Sequence, residues 1–256
     1  MSINMTTWRD SLQHVENIDL TTFEDSAAGL LPTAAMQTIV YRVSTARKMH
    51  VPLALVTGSH GVGKTTSLRE YASIENLLMW EARPGYQAKH VLSDIAERMG
   101  LSAGQGWRMQ TSIVAEQLRA HPRTMIIDEA QRLNYDGFDL LKYLADASSS
   151  TFVLSASPSL EKRIDRWQDI ASRCPVRVRV APMTAQEFVD LQADSGFSRE
   201  ALIAVHECSA GILRRAQWLM HHLDEAIDAN KREQSDITRA SVAAQHVRAL
   251  ASEVLA

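Results

Sequence analysis

The chain alternates short apolar runs with longer segments whose apolar residues recur at helical spacing. Short runs of this kind are typical of strands buried in a parallel sheet, and the periodic segments are typical of amphipathic helices. The predicted strands are residues 51–57, 77–82, 124–128, 151–155 and 176–180. The predicted helices among them are residues 33–49, 87–99, 108–120 and 136–147. This alternation predicts an α/β fold in which helices cover both faces of a mostly parallel sheet.

The pattern changes after Pro182, where no further strand is predicted. The helices predicted there are residues 184–193, 199–208, 212–229 and 238–254, and Ser235 and Asp236 supply a start signal for the last of them. We therefore expect three parts. Residues 1–30 form an N-terminal arm, residues 31–183 form the α/β core, and residues 184–256 form a small α-helical domain.

Composition places the chain among ordinary globular proteins, with 45% hydrophobic and 22% charged residues in a length of 256. The net charge is −3, so any contact with nucleic acid must come from a local basic patch. The two cysteines, Cys174 and Cys208, show neither metal-binding spacing nor a disulfide framework. No signal sequence or membrane span is predicted either. These features favour a cytoplasmic protein without a membrane partner.

Residues 58–65 read GSHGVGKT and match the full phosphate-loop pattern, with a predicted strand before them and a helix after them. The glycines let the backbone wrap around a phosphate, and the helix adds its positive N-terminal end. Lys64 would contact the β- and γ-phosphates of ATP, and the Thr65 hydroxyl would bind Mg²⁺. The candidate ATP-binding residues here are Gly58, Ser59, His60, Gly61, Val62, Gly63, Lys64, Thr65 and Thr66.

The other half of such a site is a strand that ends in acidic residues, and residues 125–129 read MIIDE. Asp128 would hold the magnesium ion, and Glu129 would orient and deprotonate the attacking water. The strand at 151–155 should lie between the two halves, with polar residues at its tip. Ser157 is our candidate there for contacting the γ-phosphate or the water. A plain turn serine before Pro158 is an equally good interpretation.

The order of these parts resembles the AAA+ ATPases, and more narrowly the Mu B, TnsC and TniB group of DNA-transposition ATPases. The segments that carry the resemblance are VTGSHGVGKTTSLREY at 56–71, MIIDEAQRL at 125–133, FVLSASPSLEKRI at 152–164, ASRCPVRVRVAPMTAQEF at 171–188 and GILRRAQWL at 211–219. The resemblance implies an AAA+ core followed by a helical lid. It also implies an ATPase that oligomerises on double-stranded DNA as an ATP-dependent ring or filament. Such a protein would direct a transposase to target DNA. A target-selector protein is a further partner that the resemblance allows.

The resemblance also implies roles for two arginines. Arg173, before the last strand, matches the arginine finger that completes the ATP site of a neighbouring subunit, with Arg163 as the fallback. Arg214 matches the lid arginine that senses the γ-phosphate. Two simpler interpretations stay open: Arg173 could be an ordinary surface arginine, and Arg214 could be a solvated arginine on a helix.

In the resembling proteins, the segment after the second strand and the segment before the next long helix line the DNA. The corresponding residues here are 83–89 and 105–110. The candidate DNA contacts are Lys89 and Arg108, with Arg83 and Thr111 nearby, and Arg177 and Arg179 as the next candidates. Lys89 and Arg108 could equally be ordinary solvated residues.

Other functions stay open at this stage. A helicase loader or replication-initiator ATPase of the IstB and DnaC kind shares the core. A secretion ATPase of the ExeA kind also does, although it would need a membrane span and a peptidoglycan-binding part. A nucleotide-dependent signalling switch without DNA is the remaining class.

Overall fold

The computed structural model describes residues 33–102, 106–232 and 237–255. The predicted arm at residues 1–30, the start signal at Ser235 and Asp236, and residue 105 of the predicted DNA segment lie outside this range.

A five-stranded parallel sheet forms the centre of the core. Its strands are β1 (Leu53–Gly58), β2 (Leu78–Glu81), β3 (Thr124–Asp128), β4 (Thr151–Ala156) and β5 (Val176–Val180). They lie in the order β2-β3-β4-β1-β5, and every neighbouring pair is parallel. All five predicted strands are present, and β4 lies between β1 and β3 as expected. The carboxyl ends of β1, β3 and β4 therefore meet at one edge of the sheet.

Helices cover both faces of the sheet, because side chains along each strand alternate between two apolar clusters. Leu53 and Leu55 face one cluster, and Ala54 and Val56 face the other. Side chains of α3 (Ala88–Arg98), α4 (Trp107–Ala120) and α5 (Tyr135–Ser148) belong to the first cluster. Side chains of α1 (Ala34–Lys48) and α2 (Lys64–Ile74) belong to the second. This is the predicted α/β architecture.

The connection from β4 to β5 contains two short helices that the sequence pattern does not predict. They are α6 (Ser159–Ile164) and α7 (Gln168–Ala171), of six and four residues. Segments this short cannot display a helical period, yet Leu160, Ile164 and Ile170 are fully buried against the sheet.

The helical domain after β5 has an apolar cluster of its own. Its helices are α8 (Ala185–Leu191), α9 (Arg199–Ser209), α10 (Leu213–Arg232) and α11 (Ala244–Val254). The prediction that the last helix starts at residue 238 is wrong. Thr238 caps a 3-10 turn instead, and Val242 then takes an extended conformation with its side chain buried in the cluster. Helix α11 begins only after this break.

Gly211 fixes the helical domain against the core. Its φ is +69°, which favours glycine, and a Cβ at this position would lie 2.4 Å from the carbonyl oxygen of Met183. The two backbones approach closely enough for the Met183 N–H to donate to the Gly211 oxygen at 3.0 Å. Nearby, a nitrogen of the His206 ring lies 2.8 Å from the Met183 oxygen. The start of α10 is thereby held beside the phosphate loop.

Candidate active site

The phosphate loop connects β1 to α2 and depends on glycine at three points. A Cβ on Gly58 would lie 2.7 Å from the Val180 carbonyl oxygen, so β1 and β5 can approach only around glycine. Gly61 and Gly63 have φ of +82° and +97°, a region that L side chains rarely adopt. Nothing lies within 4 Å of a Cβ built on Gly63. The loop therefore bends around open space at the start of α2, as a phosphate cradle requires.

Lys64, the first residue of α2, folds its side chain back over the loop. Its Nζ donates to the carbonyl oxygens of Gly58 at 2.7 Å and Ser59 at 2.9 Å. Burial lowers the pKa of Lys64, and the negative charges of Asp128 and Glu129 oppose that shift. The loop carbonyls accept the hydrogen bonds of this buried cation, and the two acids offset its charge. Phosphate oxygens that enter the loop would meet the ammonium group already in place.

Thr65 and Asp128 join the two halves of the predicted site. The Thr65 hydroxyl donates to Asp128 Oδ2 at 2.7 Å, and the Glu129 N–H donates to Asp128 Oδ1 at 2.9 Å. A hydroxyl and a carboxylate are the hard oxygen ligands that Mg²⁺ prefers. These two residues fit the ion and would hold it beside Lys64.

Glu129 follows β3 in a left-handed conformation, with φ of 52°. Its side chain lines the same pocket as Lys64 and Thr65. Gln131 Nε2 donates to Glu129 Oε2 at 2.5 Å, and Arg132 Nη2 lies 3.7 Å from the same oxygen. Gln131 was not predicted from the sequence, because a glutamine two residues after an acid forms no motif.

Ser157, after β4, reaches the site through its backbone. Its N–H donates to Gln131 Oε1 at 3.2 Å, while its hydroxyl lies 2.8 Å from the Ser159 hydroxyl. The geometry thus brings the β4 tip close to Glu129 through Gln131. It leaves the predicted contact of the Ser157 hydroxyl with phosphate as a prediction.

Arg214 lies on α10 and brings the helical domain to the phosphate loop. Its N–H donates to the Gly61 oxygen at 3.2 Å. A Cβ on Gly61 would lie 2.9 Å from the Cβ of Arg214 and from Cγ2 of Ile212. A pocket of about 190 Å³ lies between the loop and the helical domain. Its lining comprises residues 60–67, Thr33, Met36, Glu129, Met183, Leu213, Arg214 and Gln217.

Arg173 lies at the opposite edge of the sheet. Its carbonyl oxygen accepts from the N–H of Leu53, the first residue of β1, at 3.0 Å. The phosphate loop starts at the other end of that strand, roughly 15 Å away at the usual rise per residue. The Arg173 guanidinium is half-exposed and pairs with Asp146 at 3.2 Å. Its distance from Gly58 puts the phosphate loop of its own subunit out of reach.

Arg163, the fallback arginine, is half-buried and contacts residues of its own core. It donates to the carbonyl oxygens of Gln131 and Leu133, each at 2.6 Å, and lies over the Trp167 ring. These contacts hold a turn of its own subunit, and the fallback role of Arg163 toward a neighbouring subunit stays a prediction.

The candidate DNA residues gather near the start of α3 and α4. Ala88, Trp107 and Thr111 line one shallow depression, which places the two helix starts side by side. Arg83, Lys89 and Arg108 are exposed, and Thr111 is half-buried with its hydroxyl donating to the Trp107 oxygen at 2.8 Å. Among the described residues, neither Lys89 nor Arg108 has an ion pair. By contrast, Arg177 pairs with Asp165 and Arg179 with Glu161, so these next candidates are already neutralised.

A family model described as an AAA domain matches residues 47–164, which include both halves of the site. The chain contains an AAA domain. A curated relative, the Mu-like prophage FluMu DNA transposition protein B of Haemophilus influenzae, is 28% identical over 115 residues. That match covers 44% of this chain and 40% of the relative. The predicted resemblance to Mu B-like AAA+ ATPases is therefore confirmed for this domain.

Solved structures confirm the AAA+ fold over most of the chain. Cdc6p of Pyrobaculum aerophilum superposes with a TM-score of 0.63 at 15% identity, covering 84% of this chain and 67% of that one. The ORC2 protein of Aeropyrum pernix, in ADPNP–ADP complexes, gives 0.59 at 16% identity, covering 85% and 66%. The ORC1 protein of the same organism, in complex with DNA, gives 0.54 at 19% identity, covering 84% and 64%.

Within residues 33–102, 106–232 and 237–255, none of the helices has the length and apolar character that crossing a membrane requires.

Proposed function

We propose that this protein is a magnesium-dependent ATPase that assembles on double-stranded DNA and directs a transposase to its target. The observation that carries the ATPase proposal is the hydrogen bond between Thr65 and Asp128, with Lys64 and Glu129 lining the space beside it. In this arrangement Lys64 and the loop N–H groups would bind the phosphates, and Thr65 and Asp128 would hold Mg²⁺. The ion would neutralise charge that develops on the phosphate oxygens, and Glu129 would accept the proton of the attacking water.

The lid side of the pocket supports ATP as the ligand. The wall beside the phosphate loop is partly apolar. It is formed by Thr33 and Met36 at the start of α1 and by Met183 and Leu213. Such a surface suits a nucleotide base and sugar. Arg214 lies on the same wall and would sense the γ-phosphate.

The position of Arg173 supports self-assembly. An arginine that lies a strand length away from its own phosphate loop can serve catalysis only in a neighbouring subunit. Its guanidinium is half-exposed and is held by a surface ion pair with Asp146 and a hydrogen bond to the neighbouring Ser172 hydroxyl. An exposed ion pair contributes about 0–1 kcal/mol and gives way to a stronger partner. A ring or filament in which each Arg173 faces the next ATP site satisfies this geometry.

Lys89 and Arg108 support contact with DNA. Both are exposed near neighbouring helix starts, and neither is neutralised by an ion pair among the described residues. Each subunit offers few such charges, and the net charge is −3. A monomer should therefore bind DNA weakly, whereas a polymer repeats the contact many times.

Similarity to a transposition protein B favours transposition as the process and a transposase as the protein partner, with a target selector as a further candidate partner. A second candidate function is helicase loading or replication initiation, which the likeness to Cdc6p and ORC proteins favours. Stimulation of strand transfer by the cognate transposase would support the first, and loading of a replicative helicase would support the second.

The test of DNA binding is fluorescence anisotropy on duplex DNA across a salt series, with and without a non-hydrolysable ATP analogue. We expect tight binding only with the analogue. The variant Lys89→Ala with Arg108→Ala should bind several-fold more weakly and with a flatter salt dependence, because fewer counterions are released.

The control for this test is Arg42→Ala with Arg69→Ala. It removes the same charge from exposed arginines on α1 and α2, across the sheet from α3 and α4. It should bind DNA like wild type. Tight binding by the nucleotide-free monomer would contradict assembly, and an unchanged salt slope in the first variant would move the DNA surface elsewhere.

A further inference from the structure

Both ends of the Gln131 amide are used at the candidate active site. Nε2 donates to Glu129 Oε2 at 2.5 Å, and Oε1 accepts the N–H of Ser157 at 3.2 Å. The side chain therefore links the acid after β3 to the polar tip of β4. Only a side chain that is both donor and acceptor can make this pair of bonds.

The link leaves the two oxygens of Glu129 unequal. Oε2 receives the hydrogen bond from Gln131, and the Arg132 guanidinium is 3.7 Å from the same atom. Within the described part of the chain, Oε1 accepts no hydrogen bond. A carboxylate held through one oxygen has a fixed rotation, which leaves the other oxygen with a defined direction.

The turn that carries Gln131 is itself held from behind. Arg163 donates to the carbonyl oxygens of Gln131 and Leu133, and its guanidinium lies over the Trp167 ring at 5.3 Å. Ala130 and Leu133 are buried in the core. The backbone of the turn is therefore immobilised on both sides of Gln131, and its side chain starts from a fixed point.

We infer that Gln131 is a positioning residue for ATP hydrolysis, which orients Glu129 so that Oε1 is the oxygen that accepts the proton of water. This inference rests on the proposed ATPase function. In the same role Gln131 ties the β4 tip to the catalytic acid, so that a displacement of Ser157 also displaces Glu129.

The test compares Gln131→Met, which keeps the length of the side chain and removes both hydrogen bonds, with Gln117→Met, the same change on the exposed surface of α4. We expect kcat to fall about tenfold in the first variant, the usual effect of losing one oriented hydrogen bond. The affinity for a fluorescent ATP analogue and the melting temperature without nucleotide should stay close to wild type. Gln117→Met should change none of the three.

A second variant, Gln131→Glu, keeps an acceptor for Ser157 but replaces the donor to Glu129 with a repelling oxygen. It should lose at least as much kcat as Gln131→Met, and it serves alone if the methionine variant fails to fold. Wild-type kcat in either folded variant would overturn the inference.

The double variant Gln131→Met with Glu129→Gln separates positioning from a general structural effect. If Gln131 acts through Glu129, the double variant is no slower than Glu129→Gln alone, whereas independent effects would multiply. A multiplied loss would overturn the inference. Wild-type turnover in Glu129→Gln would instead overturn the assignment of the catalytic acid, a failure of the proposed function that is distinguishable from the first.

Discussion

The ammonium group of Lys64 donates a hydrogen bond to the carbonyl oxygen of Gly58 at 2.7 Å. The cation is buried, and its charge is balanced by loop carbonyls and by Asp128 and Glu129 at the end of β3. Phosphate oxygens would therefore compete with carbonyl oxygens of the same loop for a donor that is already in position.

Lys64→Ala should remove this preformed hydrogen-bond donor for phosphate and so weaken ATP binding. A hydrogen bond to a charged group contributes about 1.5–3 kcal/mol, so we expect ATP affinity to fall by roughly tenfold to a hundredfold. The measurement is titration with a fluorescent ATP analogue, with the melting temperature as the check on folding. Normal ATP affinity in a folded Lys64→Ala protein would contradict the assignment of residues 58–65 as the ATP-binding loop.

Glu129→Gln should keep ATP binding and lose turnover. Glutamine retains the shape of the side chain and its hydrogen bonding, but it cannot accept a proton from water. We expect kcat to fall by about a hundredfold or more, the usual contribution of a general base. Any ATP-dependent assembly on DNA should live longer. Hydrolysis within a few-fold of wild type would exclude Glu129 as the water-activating acid.

Arg173→Ala should bind ATP normally and hydrolyse it at least tenfold more slowly. Mixed with Lys64→Ala, it should regain activity, because some interfaces then pair an intact loop with an intact arginine. Asp146→Ala is the control, since it removes the partner of Arg173 and spares the arginine. A mixture with only the summed activity of its components would place Arg173 outside the neighbouring site.

Cys174 should be unreactive in the native protein. Burial raises the pKa of its thiol to about 11, and Cys208 is only half-buried. At pH 8 about one Cys174 side chain in a thousand would be the reactive thiolate. A thiol reagent should therefore modify Cys208 first and Cys174 only on unfolding, which mass spectrometry of the labelled peptides can follow.

The same shift predicts a dependence of stability on pH. The folded pKa lies above the ordinary value of 9.0, so the stabilisation is complete below about pH 9 and is lost as pH rises towards 11. Wild type should lose unfolding free energy relative to Cys174→Ala over that range. Parallel urea midpoints for the two proteins would contradict this.

The sequence predicts the sheet well because each strand is a short apolar run between polar breaks. The bounds of β3 and β5 agree with prediction to the residue. Helices α6 and α7 were missed because they are too short to show a period. The start of α11 was misplaced because buried Val242 interrupts the segment in an extended conformation, which only the packing of the helical domain requires.

The candidate active site also has a part that could be predicted from the sequence and a part that could not. Sequence motifs predicted that Lys64, Thr65, Asp128 and Glu129 share one place, since parallel strands bring their carboxyl ends together, and the structure has them in contact or lining one pocket. The link through Gln131 depends on a 3-10 turn and on the distance between the β3 and β4 tips. Neither leaves a pattern in the sequence.

The N–H of Arg214 belongs to the first turn of α10, where a helix has no acceptor of its own, and the Gly61 oxygen takes that place. The phosphate loop thus caps a helix of the other domain. A ligand that reshapes the loop must either keep this cap or release the helix end. If the helical domain moves with the loop, the free energy of ligand binding includes the cost of that movement. A neighbouring subunit, or anything else that holds the helical domain in one orientation, therefore changes the affinity for nucleotide. By reciprocity, bound nucleotide changes the affinity for that subunit by the same factor.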